Sequence, residues 1–332
     1  MRLVQALILG FTLIGTAAAA AEPAAFGFGD EQGVLSEIVV RKTEAYRVAT
    51  RTDTSSLSKT FNVIVERNAP GERRARITVK DVRMEAVTTD NPAVRASGET
   101  EVYLMGALKS VPVVLSYNEK GQLAGVADWE ATRQAVLKAV EERVAAMKGE
   151  KASLHAGTTL APDALAKLDD QVAKAFAAMI TKADQATFLE AFYDELTYFL
   201  LAAGERLEIG ASLERPMQAR NPADGSLATM IFALKLREVT PDKAMAEFDL
   251  KLAGDGIALL KSTMITKLRE TKLGEDEITR HVDAMSMHWE AAGTLFVDVK
   301  SGRLQKARVN SRVQAGDVEV ITTQEADVTT VK

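Results

Sequence analysis

The chain contains no cysteine among its 332 residues. This absence excludes disulfide bonds, thiolate metal sites, a cysteine nucleophile and lipid attachment through a cysteine that follows a leader peptide. Aromatic residues make up only 5% of the sequence, so aliphatic side chains and methionine must fill most of the core. A chain of this length can bury a large core without covalent cross-links.

Histidine is almost as scarce, with three residues in the whole chain. His281 and His288 lie seven positions apart, which places them on one face only if a single helix carries both. Met285 would then complete a soft metal site. We favour the interpretation that these are surface histidines at a helix-to-strand corner, and we expect neither a metal nor a cofactor.

The motifs of familiar hydrolases are missing as well. No GxSxG elbow occurs, and the SxxK spacing of Ser56 and Lys59 has no Lys-Thr-Gly partner and falls in a Ser/Thr-rich turn between two predicted strands. Adjacent carboxylates such as Asp169 and Asp170 point in different directions on a helix. We therefore assign no catalytic residue and expect a protein that is not an enzyme. A hydrolase that relies on carboxylates alone stays open.

Dense runs of lysine and arginine are also absent, and the net charge is −5. A nucleic-acid-binding protein needs a basic surface to neutralise phosphates. We therefore expect no nucleic-acid partner.

The N-terminus has the features of a secretory signal peptide. Arg2 precedes an apolar stretch at residues 3–14, and small residues follow at 16–21. The apolar stretch is too short to span a bilayer, which takes about 20 residues. We predict a cleaved signal peptide at residues 1–21 and a flexible leader at 22–35. We expect export to the periplasm, with secretion as the alternative, and no later transmembrane segment.

From residue 36 onward, apolar and polar residues alternate in segments typical of β-strands. A shift in this alternation between Val79 and Val82 predicts a β-bulge at Lys80–Asp81. The predicted strands before and after a central helical region are 39–50, 60–67, 74–88, 98–105, 111–117, 205–213, 227–238, 244–252, 285–299, 304–313 and 318–328.

The central region, residues 128–204, has helical periodicity. One helix begins after Asp128, a second runs over 162–180, and a third runs over 184–203. Two further helices are predicted at 257–272 and 278–284. The predicted fold is therefore α+β: one domain at 36–332, with a large curved antiparallel sheet and a helical insert at 128–204 packed on one face.

Three stretches carry a resemblance to a known group of proteins: LSYNEKGQLAGVADWE (115–130), ERLEIGASLER (205–215) and GTLFVDVKSGRLQKARVNSRV (293–313). They resemble an exported bacterial family of unknown function in which long hairpins precede and follow a helical segment. The overall shape is similar to half-barrel lipoprotein carriers and their mycobacterial lipid-binding relatives. The resemblance implies a curved antiparallel sheet and carries over no catalytic residue.

The third predicted helix is apolar on more than one face, in a chain otherwise poor in aromatics. Such a helix is normally buried on both sides, which makes a central core helix the simplest interpretation. The alternative is that part of it lines a cavity beneath the sheet. The candidate ligand-binding residues are then Phe188, Phe192, Leu196 and Phe199.

These observations favour a non-enzymatic exported protein that binds an apolar, lipid-like small molecule in the concave face of its sheet. An envelope scaffold or protein-interaction module is the first alternative, with an envelope protein as its partner. A carboxylate-dependent hydrolase is the second. The sequence does not specify the oligomeric state.

Expression of the whole chain in a bacterium should yield a periplasmic protein that begins at residue 22. Intact-mass measurement of the purified protein checks this. A protein that retains residues 1–21 and fractionates with the inner membrane would contradict the predicted cleavage.

Overall fold

The computed structural model describes residues 24–25, 32–48, 51–67, 73–89, 92–118, 123–154, 161–193, 196, 202, 205–220, 227–252, 257–258, 261–262, 265, 274–316 and 318–331. The predicted signal peptide, Phe199, His155 and most of the predicted helix at 257–272 lie outside these residues.

The strands, in chain order, are β1 (Ala24–Ala25), β2 (Leu35–Val48), β3 (Arg51–Arg67), β4 (Arg73–Thr88), β5 (Val113–Tyr117), β6 (Leu123–Val126), β7 (Arg206–Leu207), β8 (Ser212–Arg220), β9 (Leu227–Val239), β10 (Lys243–Leu252), β11 (Met287–Asp298), β12 (Leu304–Ala315) and β13 (Val318–Val331). The helices are α1 (Pro92–Met105), α2 (Trp129–Leu154), α3 (Pro162–Lys182), α4 (Gln185–Phe192) and α5 (Glu275–Ala284), with a 3-10 helix at Gly106–Ser110.

Eleven of the described strands form one open antiparallel sheet in the order β6-β5-β4-β3-β2-β13-β12-β11-β10-β9-β8. The two short strands β1 and β7 pair separately. The strands of the large sheet run mainly as successive hairpins, and helices pack on one of its faces. The predicted α+β class with a large, curved antiparallel sheet is confirmed.

The last strand occupies the middle of this sheet. β13 pairs with β2 from Val318 opposite Val48 to Val331 opposite Leu35, and its other edge pairs with β12. The C-terminal strand therefore joins the N-terminal group of strands to the C-terminal group. Without it, the sheet would separate into two smaller ones.

Charges on the outer face favour this order of strands. Outward-pointing charged residues include Arg41 and Arg47 on β2, Glu319, Glu325 and Asp327 on β13, and Lys306, Arg308 and Arg312 on β12. Glu319 on β13 accepts hydrogen bonds from Arg47 Nη1 at 3.0 Å and from Arg312 Nε at 2.6 Å, and so connects all three strands. These bonds hold the pKa of Glu319 below its usual range, with Arg312 the larger cause. Opposite charges on neighbouring strands favour this pairing over one that places like charges side by side.

Helices α1 to α4 and the 3-10 helix lie at the end of the sheet formed by β4 to β6. α1 and the 3-10 helix pack on β4, α3 packs on α1 and α2, and α4 lies beside β6. Gln185 Oε1, at the start of α4, accepts a hydrogen bond from the backbone N–H of Val126 at 2.9 Å. A single contiguous apolar cluster runs from these helices across the sheet to β9 and β10.

Two local predictions were wrong. The predicted strand at 98–105 is part of α1, whose buried residues Ala96, Thr100, Tyr103 and Leu104 follow helical spacing. The alternation of Val102 and Leu104 is too short to outweigh that pattern. The predicted turn at 51–59 is part of β3, because its serines and threonines pair along β2. The structure confirms the bulge at Lys80: Thr60 pairs with Asp81 and Phe61 with Val79.

The limits of the other strands and helices differ less from those predicted. The predicted strand at 205–213 is divided by a turn at Gly210, whose φ of 79° suits glycine, into β7 and β8. α2 continues to Leu154, five residues beyond the predicted start of the connection at 149. The predicted change from helix to strand near residue 285 is confirmed by α5 and β11.

Replacing Glu319 with glutamine should lower the Tm at pH 7, because the two arginines lose a charged acceptor. Since the pKa of Glu319 is lowered in the folded state, its contribution is complete above its ordinary value of 4.5 and is lost as the pH falls through the folded-state pKa. Thermal unfolding of both proteins from pH 3 to 7 checks this. The exposed Glu141 on α2, replaced in the same way, serves as control. A Tm difference that persists unchanged at pH 3 would contradict the account.

Candidate functional site

The inner face of the sheet is the face on which the helices pack, and it consists of three zones. Residues opposite each other on antiparallel strands share a face, so the register assigns each side chain to one zone. We call these zones the apolar floor, the polar belt and the apolar rim.

The apolar floor crosses the whole sheet and is buried. On β2, Ile38 lies opposite Phe61 of β3, and Val40 lies opposite Ala326 of β13. From Ala326 the pairing continues through Ala307, Leu295, Ala246 and Leu236. Gly293 faces this side between Val309 and Phe248, and a Cβ there would lie 2.7 Å from the Phe248 ring. The missing side chain leaves room for that ring against the sheet.

The polar belt lies next along the strands, on β3, β2, β13 and β12. On β2 it interrupts an apolar series: Ile38 and Val40 are followed on the same face by Lys42 and Glu44. Cross-strand pairing adds the other members. The belt consists of Lys42, Glu44, Ser55, Lys59, Ser311, Thr322 and Gln324.

The belt combines one ion pair with a buried amide. Lys42 Nζ lies 2.9 Å from Glu44 Oε1, so the charges of this pair offset each other. Lys59 is buried between Val40 and Val82 on neighbouring strands. Gln324 is 6% exposed, and its Oε1 atom is buried without a hydrogen-bond partner.

The apolar rim is a row of four side chains beyond the belt. Tyr46 lies opposite Val320, Val320 opposite Val313, and Val313 opposite Trp289. Tyr46 is 45% exposed and Val313 41% exposed, whereas Val320 and Trp289 are half-buried. These four residues are contiguous across four strands, so the rim is a partly exposed apolar strip on the face that otherwise forms the core.

The candidate residues from the third predicted helix lie elsewhere. Phe188, Phe192 and Leu196 are fully buried, and Phe199 lies outside the described residues. Phe188 and Phe192 have ring centroids 5.0 Å apart. Tyr193, beside them, contacts Phe61 of the floor, with centroids 5.8 Å apart. The structure thus brings these aromatics together at the junction of helices and sheet, and their contact with a ligand stays a prediction.

A separate cleft of about 610 Å³ lies at the turn between β11 and β12. Its polar side chains bond one another: Asp298 Oδ1 accepts from the backbone N–H and the hydroxyl of Ser301, both at 2.7 Å, and Arg303 Nη1 donates to Thr330 Oγ1 at 2.7 Å. The Ser301 hydroxyl is the main cause of the lowered pKa of Asp298. These bonds stabilise the turn.

The sequence motifs do not assemble into a catalytic or metal site. Ser56 points outward, where its hydroxyl lies 3.0 Å from that of Thr43, whereas Lys59 points inward, so the SxxK pair lies on opposite faces. His281 is in α5 and His288 in β11, where His288 Nε2 lies 3.0 Å from Glu290 Oε2. No cluster of three metal-binding side chains occurs within the residues that the structure describes.

Three further carboxyl groups with shifted pKa values belong to surface ion pairs. Arg51 lowers the pKa of Asp53, Lys109 that of Asp81, and Arg133 that of Glu130, in each case mainly through a hydrogen bond. A general acid needs a pKa raised towards neutrality. These shifts go the other way and reflect ion pairing.

Comparisons with known proteins give no family. No protein-family model matches the chain, and no curated protein matches it either. Among solved structures, one of lipid–protein interactions in lipovitellin is 8% identical with a TM-score of 0.42. The match covers 91% of this chain and 26% of that one. An outer membrane channel from Pseudomonas putida is 6% identical with a TM-score of 0.21, and the match covers 91% and 98% of the two chains.

Both TM-scores are too low to indicate a shared function. The chain spans about a quarter of the length of the lipovitellin chain that it matches. Within the described residues, no helix has both the length and the hydrophobicity needed to cross a bilayer.

The belt and the rim were not identified from the sequence, although each strand carries a sign of them. On β2 the charged Lys42 and Glu44 separate Val40 from Tyr46 on one face. On β13, Thr322 and Gln324 separate Val320 from Ala326 in the same way. Only the register between strands shows that these interruptions lie side by side.

Replacing Phe192 with alanine should reduce the free energy of unfolding by about 3–5 kcal/mol, because the ring is fully buried between Phe176 and Phe188. Chemical denaturation measures this change, and Phe192→Leu should cost much less. An alanine variant as stable as the wild type would show that the ring is not packed in the core and would favour a cavity wall instead.

Proposed function

We propose that this protein is exported to the periplasm and binds an apolar, lipid-like ligand on the inner face of its sheet. The observation that carries the proposal is the apolar rim of Tyr46, Val320, Val313 and Trp289. Contiguous exposed apolar surface on a folded protein marks a site for a ligand, a partner or a membrane. The predicted signal peptide and the absence of cysteine support the compartment.

The position of the rim favours a small apolar ligand over a protein partner. The rim continues the face that forms the protein's own core, and it is one residue row deep on each strand. A flexible acyl chain can lie across such a narrow strip and bury it. Apolar surface removed from water contributes about 25 cal/mol of favourable free energy per Å². A long acyl chain has enough apolar surface for its burial to drive binding.

Binding of methyl cis-parinarate, a fluorescent apolar acyl ester, tests the proposal. Val313→Asn should weaken binding about fivefold, because a polar amide then replaces a half-exposed apolar contact worth roughly 1 kcal/mol. Ile209→Asn is the matched control, since Ile209 is 52% exposed in the turn between β7 and β8. Its affinity should equal that of the wild type.

Two outcomes contradict the proposal. The first is a folded wild-type protein that shows no saturable binding of the ester, which would mean that it does not bind an apolar ligand of this kind. The second is equal binding by Val313→Asn and Ile209→Asn, which would place any ligand away from the rim.

A further inference from the structure

The amide of Gln324 stands apart from the other polar groups of the inner face. It lies in the middle strand of the sheet, 6% exposed, with its Oε1 atom buried and without a hydrogen-bond partner. A buried acceptor in this state reduces stability, and native structures contain few of them. Such a group lowers the stability of the fold unless a molecule outside the chain donates a hydrogen bond to it.

The neighbours of Gln324 define a polar surface of low net charge. Lys42 lies directly opposite on β2 and is paired with Glu44. Thr322 lies two residues along β13, on the same face, and Ser311 lies opposite Thr322 on β12. Directly opposite Gln324 on β12 lies the buried Val309. The polar groups near the unpaired amide are therefore the Lys42–Glu44 ion pair and, further along the strands, the hydroxyls of Thr322 and Ser311.

We propose that the polar belt binds the hydroxylated head group of an acyl lipid, of the class of glycerol or sugar esters. This inference rests on the proposed function, because the acyl chain is assigned to the apolar rim. The head group lies against Gln324, Thr322 and Ser311, and one of its hydroxyls donates to Gln324 Oε1.

Hydroxyl chemistry fits this surface better than the other common head groups. A carboxylate or a phosphate diester has no proton to donate to Gln324 Oε1. Of the two lysines in the belt, Lys42 is paired with Glu44 and Lys59 is buried. A methyl ester has only acceptors. A hydroxyl both donates and accepts, so it satisfies either end of the Gln324 amide as well as the hydroxyls of Thr322 and Ser311.

The spacing of the zones matches an amphipathic molecule. Gln324 and Val320 are four residues apart on β13 and point to the same face, which separates them by about 13 Å along the strand. A head group at Gln324 therefore leaves its acyl chain within reach of the rim. The apolar floor on the other side of the belt is already buried by the protein itself.

Competition against bound methyl cis-parinarate tests this inference with four compounds. They are 1-monopalmitoylglycerol, methyl palmitate, palmitate and free glycerol. The wild-type protein should bind monopalmitoylglycerol at least about fivefold more tightly than methyl palmitate, the gain expected from one or two neutral hydrogen bonds. Palmitate should show no such preference, and free glycerol should not compete.

Gln324→Met removes the amide while keeping a similar shape. It should abolish the preference for monopalmitoylglycerol and leave the affinity for methyl palmitate unchanged. Because it removes a buried unpaired acceptor, it should also raise the Tm of the ligand-free protein by about 2 °C or more. Thr322→Val, the second variant, removes one of the belt hydroxyls and is tested for the same preference. Gln134→Met makes the same substitution at an exposed position on α2 and is the control for Gln324→Met.

The outcomes separate the two proposals. If no acyl compound binds, the proposed function fails. If methyl palmitate and monopalmitoylglycerol bind equally, or if Gln324→Met keeps the preference, the head-group site is wrong while the apolar site stands. A Gln324→Met protein of lower Tm and unchanged preference would show that the amide is structural. If free glycerol competes as strongly as its ester, the belt is a polyol site and no lipid is involved.

Discussion

The structure depends on the pairing of β13 with β2, which brings the last described strand of the chain beside the first long one. Fourteen residue pairs form this ladder, from Val318 opposite Val48 to Val331 opposite Leu35. It places two groups of antiparallel strands in one sheet of eleven and gives them a common core. Contacts between residues so far apart in sequence are expensive in chain entropy, so they need specific support. Glu319, held by Arg47 and Arg312 on the two flanking strands, provides part of it on the outer face.

The same ladder creates the inner-face zones. It sets Gln324 opposite Lys42, Thr322 opposite Glu44 and Val320 opposite Tyr46, so interruptions that are isolated in each strand merge into a belt and a rim. A slip of one residue would turn all of these side chains to the other face. The central strand therefore has two roles: it holds the sheet together, and it carries the residues around which we place the ligand.

Local hydrophobic patterns predicted the secondary structure correctly where they were long and regular. The alternation of Ala246, Phe248 and Leu250 predicted β10, and the change of period near Met285 predicted the junction of α5 and β11. They failed where the pattern was short or chemically ambiguous, as in α1, or where serines and threonines resembled a turn but continued β3. The candidate site could not be predicted, because Tyr46 and Val313 become neighbours only through the strand order. The aromatic helix was conspicuous in sequence because it forms the core, which is a different property from contacting a ligand.

The central claim is that an apolar molecule occupies the inner face of the sheet. The most direct measurement is to purify the protein from the periplasm without detergent, extract it with organic solvent and identify the bound molecules by mass spectrometry. The account predicts an acyl lipid at close to one molecule per chain, reduced in protein that carries Val313→Asn. A folded, monodisperse protein whose extract contains no such molecule would contradict it.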